Sequence, residues 1–207
     1  MYDAFIAAFV ALFVIVDPIG IAPVFAGLTQ GSSRAHQKKM AIKGTIIGTV
    51  ILIFFASVGQ PFFKVLGISL DALRVAGGVM LFIIAVEMVF EKRTERKQET
   101  AEKLDEHFED ISVFPIALPL LAGPGAIATV MLLMANYKGD LVAQGAIVAA
   151  LVLVMLITVI TFFMAGKVME WMGPSVNAVL TRVLGVILAA LAAQYILDGI
   201  KGTFWAA

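Results

Sequence analysis

Two stretches carry residues able to do chemistry in an apolar setting: Asp17-Pro18-Ile19-Gly20-Ile21-Ala22-Pro23 and Leu121-Ala122-Gly123-Pro124-Gly125-Ala126-Ile127. A carboxylate deep in an apolar run costs about 2.5 to 3.5 kcal/mol on insertion scales, so Asp17 calls for a role. It could cap a helix, pair with an ammonium or take up a proton. Proline removes a backbone donor and turns the residue before it away from helical angles, which predicts breaks near Asp17 and Gly123. Asp is a preferred N-cap and Pro a preferred first residue, so Asp17-Pro18 predicts the start of a half-helix and Gly123-Pro124 its counterpart. Such an N-terminus offers unpaired N–H groups and about half a positive charge, which suits a carboxylate or another anion. Gly20, Gly123 and Gly125 would let a small ligand approach the backbone, with Pro18, Pro23, Pro124 and Thr129 lining the same space. The plain alternative at each break is a structural kink.

Arg74 and Arg182 are the next candidates. Each lies a few residues inside an apolar run. It could contact a substrate carboxylate or an ion-pair partner and, with Asp17, serve coupling or gating. It could equally snorkel to the membrane interface. Glu87 and Asp198 stand near the ends of their runs, where interfacial solvation accounts for them. Asn136, Asn177 and Gln194 are further polar residues that could line a path. The methionines at 80, 88, 131, 134 and 155 suit packing.

The elements that hold these residues are membrane helices. Of 207 residues, 61% are hydrophobic and 14% charged, and the mean hydropathy is +0.99. That leaves too much apolar surface for a water-soluble domain, in which about a quarter of residues are charged. In lipid the backbone must satisfy itself, and apolar runs of about 20 residues select helices over a barrel. Spans are expected near 4–28, 41–60, 69–90, 112–135, 141–165 and 178–200. Met1-Tyr2-Asp3 lacks the basic start of a secretory signal, so the first run is expected to be an uncleaved span. The connections after spans one, three and five carry Arg34, Lys38, Lys39, Lys43, Lys92, Arg93, Arg96, Lys97, Lys103 and Lys167, against Lys64, Lys138 and Lys201 on the other side. The positive-inside rule then makes those three connections cytoplasmic and puts both termini outside.

The halves of the chain repeat at an offset of 106 to 108 residues. Asp17-Pro18 matches Gly123-Pro124, and Gly59 matches Gly166. Leu66-Gly67 matches Met172-Gly173, Arg74 matches Arg182, and Gly77 matches Gly185. Three spans per copy make the second copy enter from the opposite side, giving an inverted repeat of the kind found in secondary transporters. The expected organisation is a first three-helix repeat over 1–90, a charged cytoplasmic linker over 91–111 and a second repeat over 112–207, with helices one and four broken. His107 sits among carboxylates in that linker, but a lone His is a poor metal signature, and no metal or other cofactor is expected. Cysteine is absent, which excludes disulfides and thiol chemistry. There is no basic patch for nucleic acid. Gly77, Gly78, Gly185 and Ala189 permit close helix contacts, either in a homo-oligomer or within one chain.

The two motifs, with the six-span layout and the charged central loop, resemble the MarC family of bacterial and archaeal inner-membrane proteins across essentially the whole chain. The resemblance implies a small multi-pass protein, related to a described transporter of small neutral amino acids such as glycine and alanine. Read with the breaks, it favours a secondary transporter of such solutes, exporter or exchanger, alternating about a midplane site. No nucleotide-binding loop is present. Proton-driven efflux of drugs and a non-transporting assembly factor are the alternatives. An enzyme is not expected: no predicted span contains histidine, which removes His-dependent chemistry and leaves an Asp-based intramembrane enzyme as the remaining version of that alternative.

Overall fold

In the computed structural model, residues 1–90, 92 and 110–205 are described, and among them the ordered elements are all helices. The expected linker, His107 included, lies outside the described residues apart from Lys92, Asp110 and Ile111. The helices are α1 (Tyr2–Val16), α2 (Ala22–Leu28), α3 (Arg34–Val65), α4 (Leu70–Val89), α5 (Ser112–Leu121), α6 (Pro124–Asn136), α7 (Leu141–Phe163) and α8 (Ala165–Trp205).

Four stretches are long and apolar enough to cross a bilayer: Arg34–Gly59, Leu70–Val89, Leu141–Phe163 and Val176–Phe204. The pair α5–α6, bent by 56°, makes a fifth if it is one broken span. The expected first span, 4–28, is two pieces. Alone, α1 extends about 22 Å, short of a hydrocarbon core about 30 Å thick. Large apolar side chains face away from the protein along these helices. On α3 they are Ile42, Ile46, Val50, Phe54 and Val58, four residues apart, and on α8 Val176, Val179, Val183 and Val186. A helix that is apolar on both its packed and its outer face belongs in lipid.

Local sequence sets the ends. Ser33 Oγ accepts from the His36 amide (3.2 Å), Ser69 Oγ from Ala72 (3.1 Å) and an Asp140 carboxylate oxygen from Ala143 (2.9 Å), each opening a helix. A loop expected between spans five and six is absent. The backbone is helical from Ala165 onward, in keeping with the straight-chain helix formers Lys167, Met169 and Glu170. Within α5, Pro115 and Pro119 push Phe114 and Leu118 to extended angles (φ −122°, ψ 129° and φ −123°, ψ 129°). The coil widens, with Ile116 N–H bonded to Ile111 O and Ala122 N–H to Ala117 O, five residues back.

The most extensive packing joins α4 to α8. A Cβ on Gly78 would lie 2.9 Å from the Ala192 carbonyl oxygen, and one on Gly185 2.9 Å from Met88 Cβ. A Cβ on Gly77 would meet Leu132 at 2.7 Å, and Ala189 packs against the core. These small residues therefore serve contacts within the chain. The rest of the core interleaves the halves: α1 packs on α7, α5 on α3, and α6 against α1, α3 and α4.

Candidate functional site at the helix breaks

Asp17 ends α1 instead of starting the next helix. Its φ of 57° and ψ of 64° are left-handed, and its amide still bonds back to Phe13 O (2.9 Å). A single turn follows, with Ile21 N–H on Asp17 O, and α2 opens only at Ala22 with Pro23 in its first turn. The N-cap expected of Asp17 is only partly realised. Its Oδ1 accepts from the Gly20 amide three residues on (3.0 Å), but across a turn and not a helix. The reason is Asp itself: a short polar side chain tolerates left-handed angles and bonds its own backbone. The carboxylate is 3% exposed.

Gly123 is the N-cap of α6, with extended angles (φ −73°, ψ 169°) and Pro124 next, as the sequence indicates. The Ile127 amide bonds to Gly123 O at 3.0 Å. The Thr129 hydroxyl is buried and donates back to Gly125 O (2.8 Å), so its proton is used within its own helix.

The breaks meet. A Cβ on Gly125 would lie 2.5 Å from Ile84 Cδ1 and 3.0 Å from Ile15 Cδ1, and Ile15 is two residues from Asp17. A Cβ on Gly20 would overlap the Asp17 carboxylate, and one on Gly123 would lie 2.5 Å from Pro119 O. The space left by each glycine is thus taken by protein atoms, not held open for a ligand. The breaks also differ. Pro18 and Gly20 are buried and Pro23 half-buried, whereas Pro119 and Pro124 are exposed and Gly123 half-exposed.

The arginines lie elsewhere. Arg74 Nε and Nη2 both donate to Asn136 Oδ1 (3.1 and 2.9 Å), and Nη1 meets Asp71 Oδ1 at 2.9 Å. This clamp ties α4 to the far end of α6, about 18 Å along the helix from Gly123. Arg182 is exposed on α8. No spacing rule links Arg74 to a partner 62 positions away, so the clamp was not readable in advance. At the opposite face Lys43 on α3 pairs with Asp110 just before α5. That pairing, helped by bonds from Ser112, holds the Asp110 carboxyl down at about 2. Among the described residues no three His, Asp or Glu side chains converge as a metal site would require.

Apolar outer faces, four to five candidate spanning elements and a buried carboxylate at the break after the first helix define a polytopic helical membrane protein. The chain belongs to the MarC family of integral membrane proteins, whose model matches residues 2–204. It is similar to a UPF0056 membrane protein of Methanocaldococcus jannaschii, 39% identical over 202 residues and covering 96% of each chain. The UPF0056 membrane protein YvbG of Bacillus subtilis is 36% identical over 211 residues, covering 99% of this chain and 97% of its own. YhcE of Escherichia coli is 34% identical over 204 residues, covering 98% and 94%. No solved structure matches.

Proposed function

We propose that this protein is a secondary transporter of small neutral amino acids such as alanine or glycine, acting as exporter or exchanger in the cytoplasmic membrane. In this reading α1–α2 and α5–α6 are the broken first and fourth of six spans, and the halves are inverted copies. The interleaved packing supports it: α1 sits on α7 as α5 sits on α3, an exchange an inverted pseudo-two-fold would produce. The basic connections at Lys43 and beyond face the cytoplasm, and both termini face outward.

The carrying observation is the pair of abutting breaks, one closed over Asp17 and the other exposed at Pro119 and Pro124. Two equivalent segments in unequal states are what alternating access requires of its halves. Motion at Asp17-Pro18 or Gly123-Pro124 would open the space that protein atoms fill beside the glycines. Asp17 would then meet the substrate ammonium or carry a coupling proton, beside Gly20, Gly123, Gly125 and Thr129, while the Arg74 clamp gates one face. The same filling favours a second reading, a non-transporting assembly factor.

Counterflow separates the two. Proteoliposomes are preloaded with unlabelled alanine or glycine and given labelled amino acid outside, for wild type and Asp17→Asn. Uptake by wild type that falls in the variant is the expected result. Equal uptake by both keeps transport and leaves Asp17 as a cap. Uptake no greater than that of empty liposomes, from folded protein and across a panel of small amino acids, overturns the transporter reading.

A further inference from the structure

A cavity of about 420 Å³ opens where the α3–α4 turn meets the α6–α7 turn, on the face away from the Lys43–Asp110 pair. Its walls are Pro61, Phe63, Ile68, Leu70 and Leu73, with Ser69 and Lys138 as its polar residues. The size suits a drug-sized molecule or a segment of acyl chain. Its mouth does not face water alone. Val65 (86% exposed) and Leu66 stand on one side of it in sequence, and Leu141 (81% exposed) and Val142 on the other. Large apolar side chains left open on both flanks belong at the level of lipid.

Among the described residues Lys138 is the cation that lines this cavity, and it has no ion pair there. The nearby carboxylates are engaged: Asp71 with Arg74, and Asp140 with the Ala143 amide. The Ser69 hydroxyl caps α4. An apolar chamber at the membrane interface, with the Lys138 ammonium uncommitted at its edge, has a definite chemical complement. We propose that it holds an acyl chain of an anionic phospholipid whose phosphate meets Lys138. An interfacial lysine attracts anionic lipid by about 1 kcal/mol, or roughly fivefold in affinity. A zwitterionic lipid would place a choline beside the same ammonium and lose that gain. The inference is independent of transport.

Native mass spectrometry of the whole purified protein tests it, with phosphatidylglycerol and phosphatidylcholine of matched chains as probes. Wild type is expected to retain phosphatidylglycerol about fivefold better. Lys138→Gln should abolish that preference while still binding both lipids. Leu73→Trp, which fills the chamber, should lower occupancy by both. Ile68→Trp, in the turn, serves the same purpose should Leu73→Trp fail to fold, as judged by gel filtration. An unchanged preference in Lys138→Gln, unchanged occupancy in the folded tryptophan variant, or equal retention of the two lipids by wild type would overturn the proposal.

Discussion

Replacing Asp17 by Asn, Gly and Ala separates backbone geometry from hydrogen bonding. At φ 57° a Cβ-bearing apolar residue loses about 1 to 2 kcal/mol, while Gly and Asn are tolerated. Removing the acceptor of the Gly20 amide leaves a buried N–H unsatisfied, at about 1 to 3 kcal/mol. Asp17→Asn keeps both features, so its stability should stay close to that of wild type. Asp17→Gly keeps the angles and loses the bond. Asp17→Ala loses both, about 2 to 5 kcal/mol in all. Thermal midpoints of purified protein in detergent should fall in the order Asn, Gly, Ala, by about 2 to 4 °C per kcal/mol. Gly20→Ala adds a further check, since its Cβ would overlap the Asp17 carboxylate. Its cost should largely vanish in the background of Asp17→Gly, where no carboxylate remains to be displaced. Equal midpoints for Asp17→Ala and Asp17→Asn, or a strictly additive double variant, would refute the assigned cap.

Arg74→Lys cannot reach Asn136 and Asp71 together as the planar guanidinium does, so it should lower stability by about 1 kcal/mol, and Arg74→Ala by more, read from the thermal midpoints. Lys43 and Ser112 hold the Asp110 carboxyl down at about 2, below the usual carboxylate range, so its contribution is complete above about pH 5 and lost as pH falls through about 2. The midpoint difference between wild type and Asp110→Asn should be flat from pH 8 to 5 and shrink below pH 4. Because the pair is about half exposed, the difference should stay under about 1 kcal/mol.

Both breaks and the apolar helices were legible because proline chemistry and hydropathy are local. Gly123-Pro124 opens α6 as its residue order indicates. Asp17 departs from the rule because Asp suits two positions, an N-cap and a left-handed helix end, and the packing of α1 chooses between them. The glycines carry a related ambiguity. Their sequence signals a close approach, and the approaching atoms proved to be Ile15, Ile84, the Pro119 carbonyl and the Asp17 carboxylate. Contacts between distant segments, such as Arg74 with Asn136, have no period to betray them. The wide coil of α5 depends on the joint effect of Pro115 and Pro119, which a simple count of apolar residues does not reveal.

The packing of α1 on α7, and of α5 on α3, has a consequence for how the chain is made. Val16 and Leu141 are separated by more than half the sequence, so the first helix leaves the ribosome long before the surface that buries it exists. In that interval its partner face must be covered by lipid or by the insertion machinery, and the Asp17 carboxyl lacks the packing that later encloses it. A chain cut between α4 and α5 would yield two fragments, each exposing the seam that the other covers.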